Sequence, residues 1–153
     1  MKHSMGHENP YIHFGIMVVL SFIAMYVLMY SMVNVLGNVY PNFNQLYMAA
    51  LMTSPMVVIE MLFMRKMYPN KKVNIMIMVG GIIAMIIFFA LIRIQALVGD
   101  EEFLKSMIPH HASAILMCEK ASVQDPQIQE LCRNIVSGQQ GEIEWMKKKL
   151  SEL

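Results

Sequence analysis

The chain has 153 residues, 56% hydrophobic and 15% charged, with a net charge of +1. The charged share is well under the about 25% of an ordinary soluble domain, and the balanced charge gives no electrostatic footprint for nucleic acid. Charges thin out over residues 11–98 and return over 100–153. This divides the chain into an N-terminal tail of residues 1–10, a membrane region of 11–98 and a polar domain of 99–153. No cleavable secretory signal is read, because the first apolar run, from Tyr11, is too long for one and no small-residue cleavage site follows it. Methionine is abundant, at 18 residues. Two explanations stand: flexible apolar filler that lipid tolerates, or thioethers as ligands for Cu(I) or Ag(I).

The tail carries His3, Met5 and His7, with His13 at the membrane edge. This is either a weak metal tether or a terminus without a role. A first span is predicted over residues 14–36, long enough at 1.5 Å per residue to cross ~30 Å of hydrocarbon. Gly37, Asn38, Pro41 and Asn42 make a turn. A second span covers 43–64, and a short basic loop over 65–72 holds Arg65, Lys66, Lys71 and Lys72. A third span covers 73–97, with Gly80-Gly81 offering a close-packing surface. The turn at 37–42 has no Lys or Arg, so the positive-inside rule places the basic loop and the N-terminus in the cytoplasm and the polar domain outside. Arg93, near the outer end, snorkels to the interface. The expected address is a bacterial inner membrane, with residues 99–153 in the periplasm.

Within the spans, Met25, Met29 and Met32 form one helical stripe, and Met48, Met52 and Met56 another. Each serves packing or a ligand path. Glu60 is the one acid inside a span. It is either a functional group at membrane depth or an interfacial carboxylate paired with Arg65 or Lys66. Pro55, beside Thr53 and Ser54, predicts a kink in span two.

The polar domain reads as two helices. Asp100 is an expected N-cap, with Glu101 and Glu102 favourable in the first turn. Leu104, Met107/Ile108, Ala114/Ile115, Cys118 and Ala121 recur at helical spacing, and Pro109 predicts a kink. Asp125-Pro126 starts the second helix, whose expected buried stripe is Ile128, Leu131/Cys132, Ile135, Gln139, Glu142/Ile143, Met146 and Leu150. If the two form an antiparallel hairpin turning near residue 125, facing positions sum to about 250. Cys118 then faces Cys132, His111 faces Gln139, and Met107 faces Ile143, one turn from Met146.

Met107, His110, His111, Met117, Gln139, Glu142 and Met146 thus fall within about two turns of one level. Polar groups in an apolar seam must be paired. Either a metal held by imidazole and thioether does this, or a His–Gln or His–Glu hydrogen-bond network. Such a donor set suits Cu(I), with Ag(I) as a mimic, and the imidazoles also admit Cu(II) or Zn. No Glu is followed by His at i+3, which disfavours ferritin-like di-iron chemistry. For Cys118 and Cys132 a disulfide, buried thiols and metal ligation all stand open. A hairpin of about 50 residues buries too little to be stable alone. A homodimer or higher homo-oligomer is therefore expected, with two hairpins completing a four-helix bundle.

The stretch from Met107 through Ile-Pro-His-His to Met117, then Asp125-Pro126, then Gln139-Gln-Gly-Glu-Ile-Glu-Trp-Met146, resembles the ferritin-like domain-of-unknown-function family 305. Asn-Val-Tyr-Pro-Asn at 38–42 and Met-Tyr-Pro-Asn-Lys-Lys at 67–72 are similar to its three-span bacterial subtype. The resemblance implies a small all-α protein, three transmembrane helices followed by a ferritin-like half-bundle, tied to bacterial copper and heavy-metal resistance and to other resistance proteins. By motif match it implies Met107, His110, His111, Met117 and Met146 as metal ligands, with Gln139 and Glu142 supporting them. Cys118 departs from the small residue usual after that Met. The expected function is membrane-anchored copper or silver capture. An enzyme is the less favoured reading, and a structural or assembly role for the His pair is the alternative.

Overall fold

A computed structural model describes residues 9–153, leaving His3, Met5 and His7 outside it. The described chain is all-helical. Its helices are α1 Pro10–Leu28, α2 Phe43–Phe63, α3 Lys71–Arg93, α4 Asp100–Lys120 and α5 Pro126–Leu150, with 3-10 turns at Met29–Met32 and Leu36–Asn38. Three stretches are long and apolar enough to cross a membrane: Pro10–Met32, Phe43–Phe63 and Lys71–Arg93. The first ends earlier than the expected residue 36, because the chain turns extended at Val33, ahead of Gly37 and Asn38. The third stops at Arg93 rather than 97, and Gln95 and Leu97 then take left-handed φ values of 51° and 59°.

The chain divides into two compact units. The first comprises Tyr47–Arg93 and the described residues up to Tyr26. Its core centres on Phe14, Met61 and Tyr68. The Tyr68 ring lies 5.4 Å from that of Tyr11 and 5.7 Å, edge-on, from Phe14. The Tyr11 hydroxyl donates to Asn74 Oδ1 at 2.8 Å and accepts from the Asn70 amide at 3.0 Å. Asn70 Oδ1 in turn caps α3, accepting from the amides of Lys72 and Val73. The start of α1 is thereby tied to the basic loop.

Glu60 accepts from the Tyr68 hydroxyl at 3.4 Å. The expected pairing with Arg65 or Lys66 is not seen among the described residues. Burial, followed by the nearby Glu60 charge, holds the Tyr68 phenol above its ordinary value. Of the two glycines on α3, only Gly81 makes a close approach. A Cβ there would meet Val58 Cγ2 at 2.9 Å and the Ser54 carbonyl at 3.3 Å, whereas one at Gly80 would meet nothing. Helix α2 runs through Pro55, with Thr53 and Ser54 hydroxyls donating to the carbonyls of Ala49 and Ala50 at 2.8 Å.

The second unit comprises Val27–Leu46 and Ile94–Leu153. Its core is Leu104, Ile108, Ala112 and Ile115 of α4 with Ile143 and Met146 of α5, backed by Val33, Tyr40, Met107, Val136 and Leu150. Burying each of the large aliphatics contributes about 1.5–3 kcal/mol. Asp125 caps α5 as expected, its carboxylate accepting from the amides of Gln127 and Ile128. Asp100 is not the cap of α4. Gly99 holds that position, and Asp100 is the first helical residue, where its charge still favours the helix dipole. The α5 stripe is narrower than its periodicity implied. Ile128 and Leu131 are 48% and 55% exposed. Ile128 lies beyond the end of α4 at Lys120, whereas at the level of Leu131 it is Cys132 that meets Cys118 of α4. Ala121, the C-cap of α4, is exposed as well.

The segment before α2 is more than a turn. Asn42 Oδ1 accepts from the Gln45 amide, and the Phe43 amide donates to Glu102 of α4 at 3.0 Å. Pro109 has no N–H, so the Lys105 carbonyl one turn back loses its usual helical donor. Asn42 Nδ2 donates to that carbonyl at 3.4 Å.

Candidate functional site

The site residues of α4 fall on two faces. His111 and Ile108 point into the core, and one residue away the helix turns His110 outward. Met107 packs on the core cluster that contains Met146, so these two thioethers and the His111 ring belong to one apolar region between α4 and α5.

His111 is fixed at both ring nitrogens. Nδ1 lies 2.9 Å from the Met107 carbonyl, an obligate acceptor, so Nδ1 carries a proton and donates. Nε2 lies 2.7 Å from Glu142 Oε2. The imidazole is nearly buried, while the Glu142 side chain is 65% exposed. The carboxylate therefore reaches in from solvent. Gln139, one turn away on α5, keeps Oε1 buried without a hydrogen-bond partner. The sequence pairing placed Gln139 opposite His111, but the structure gives that contact to Glu142.

The remaining expected ligands lie apart from this group. His110 is exposed, its ring edge-on to His111 at 5.9 Å. Met117 is 52% exposed and outside the cluster. Cys118 and Cys132 are free thiols half-buried on either side of one groove, with Glu119, Gln129 and Arg133. Their mutual hydrogen bond pushes the Cys118 thiol up to about 11. Among the described residues no three or more of His, Cys, Asp and Glu gather as a metal-holding group. The span methionines do not make a sheltered path: Met32, Met48 and Met52 are all exposed, and Met25 is approached by the Thr53 hydroxyl at 3.5 Å.

Sequence reasoning missed the part played by residues 33–46. Val33 and Tyr40 back the same core, and the Tyr30 hydroxyl donates to the Tyr40 carbonyl at 2.9 Å. The signal available was the density of Asn, Tyr and Pro at 38–42, too rich for a plain connector.

These features define a protein that is all-helical over its described residues, with a part-buried histidine–carboxylate contact between its last two helices. Residues 88–150 match the family described as a domain of unknown function, DUF305. An uncharacterized protein of Acanthamoeba polyphaga mimivirus is 35% identical over 140 residues, covering 90% of each chain. The chain belongs to the DUF305 family. No solved structure matches it. The relative is viral, so the bacterial setting expected from the sequence has no support from it.

Proposed function

We propose that this protein is a membrane-anchored binder of a soft metal ion, with Cu(I) the first candidate and Ag(I) its mimic. The carrying observation is the presentation of His111. Its Nδ1–H is pinned to a backbone carbonyl, the usual support of a metal-bound imidazole, and its Nε2 sits at a seam shared with the Met107 and Met146 side chains. The partnerless Gln139 Oε1 and the solvent-exposed Glu142 carboxylate give this level polar groups that a bound cation would satisfy. Thioether donors beside an imidazole favour a soft ion over Zn. His110 and Met117 would join only after local rearrangement.

The three membrane-length helices are read as spans, with the basic loop and N-terminus cytoplasmic. An odd number of spans then puts α4 and α5 outside as an antiparallel, ferritin-like hairpin. Exposed Ile128, Leu131 and Trp145 supply apolar surface for pairing with a second copy into a four-helix bundle. A second reading is a purely structural one, in which His111 clamps α4 to α5. It draws on the fact that protein groups already bond both ring nitrogens.

Titration of the full-length protein in detergent with Cu(I), against a chromophoric chelator under reducing conditions, separates the two. Metal binding predicts that His111→Ala and Met146→Leu each weaken affinity by roughly tenfold or more. A lower melting temperature for His111→Ala with unchanged Cu(I) affinity would leave only the clamp.

A further inference from the structure

At the basic end of the first unit, α2 and α3 enclose a groove of about 610 Å³. Its walls are Met61, Leu62, Ile75 and Met78, with Asn74 beneath, and Arg65, Lys66 and Lys71 line it as well. No carboxylate among the described residues lines the groove. Among the described residues, none of these three cations makes an ion pair. Glu60, the acid of this helix, is engaged with the Tyr68 hydroxyl. The Asn74 amide is likewise used, donating to the Tyr68 carbonyl and accepting from Tyr11. Three like charges on one groove repel each other, and among the described residues none of them is paired with a carboxylate.

An anion relieves that repulsion, and the remaining lining says which kind. Four aliphatic and thioether side chains offer nothing to a sugar or a base: no aromatic ring lines the groove to stack on one. They suit hydrocarbon. The groove lies where two membrane-length helices end, the depth at which a phospholipid carries its phosphate just outside its acyl chains. Basic pockets of this kind between spans select anionic head groups. We infer that this groove binds an anionic phospholipid, the phosphate held by Arg65, Lys66 and Lys71 and the first part of the acyl chains lying on Leu62, Ile75 and Met78. The site rests on the reading of α2 and α3 as membrane spans and is independent of metal binding.

Native mass spectrometry of the full-length protein in detergent tests this, with phosphatidylglycerol compared against phosphatidylcholine of the same chains. Phosphatidylglycerol is expected to be retained preferentially, and the Arg65→Gln, Lys66→Gln, Lys71→Gln triple variant to lose it by roughly tenfold or more. Lys72→Gln, on the same loop but outside the groove lining, is expected to retain it. Equal retention of the two lipids by the unmodified protein overturns the inference whatever the variant does. So does an equal loss in Lys72→Gln, or full displacement by millimolar inorganic phosphate, which would mark a phosphate site without lipid specificity. Alkaline carbonate extraction of native membranes reports on the spans separately. Protein that stays in the membrane yet shows no lipid preference sinks the lipid site alone, and protein that is extracted sinks the span reading.

Discussion

Cys118 and Cys132 show how one contact sets reactivity. The hydrogen bond with Cys132 favours the neutral form of Cys118, whose thiol rises from 9.0 to about 11 on folding. Below pH 9 both folded and unfolded chains keep that proton and the contact adds its full stability. Between pH 9 and about 11 only the unfolded chain ionises, and the contribution is lost. Replacing Cys132 with Ala removes the partner. Labelling of Cys118 by iodoacetamide at pH 8 is then expected to accelerate about tenfold, the gain in thiolate being partly offset by its weaker nucleophilicity. An unchanged rate would show that access, not acidity, limits the thiol. The same pair was legible in the sequence, because a short turn at 125 fixes which residues face each other close to it. Two turns further on, the rule failed at His111. Side-chain reach decides there, and the Glu142 carboxylate extends across the seam to Nε2.

At the scale of helices, α2 and α3 approach each other closely at Gly81. Gly81→Ala drives a methyl into Val58 and the Ser54 carbonyl, so the helices must separate. Thermal unfolding in detergent is expected to show a loss of roughly 1–3 kcal/mol, whereas Gly80→Ala, with open space at its Cβ, leaves the melting temperature unchanged or raised. Two equal effects would contradict this packing. The apolar runs announced these helices plainly, since length and hydropathy need no knowledge of neighbours. They did not distinguish the two glycines, because a helical repeat gives a direction only when the other face is polar, and here both faces are apolar. The packed segment 33–46 was hidden for a different reason. Its hydrogen bonds to α4 join residues about sixty apart, a separation over which sequence carries no periodic signal.

For the whole molecule, the membrane reading makes a directional claim. In a chain with Cys118 and Cys132 replaced by Ser, a membrane-impermeant thiol reagent applied to intact cells is expected to label Ser122→Cys and to spare Met67→Cys, two exposed positions in the polar domain and the basic loop. The reverse pattern would invert the orientation, and labelling of both would remove the membrane barrier between them. The similarity to the mimivirus protein covers 90% of this chain, so it is not confined to α4 and α5. The Asn42–Lys105 contact has a consequence of its own. Pro109 acts less as a helix breaker than as the maker of a socket, since by withholding its own donor it exposes a backbone oxygen into which a distant amide plugs. The two residues therefore form one thermodynamic cycle. Removing Asn42 alone strands the oxygen, and replacing Pro109 with Ala alone leaves the amide only its 2.9 Å contact with the Tyr40 carbonyl. Changing both restores an ordinary helix and forfeits the tether between the loop and α4, together with the Asn42 contacts to Tyr40 and Gln45.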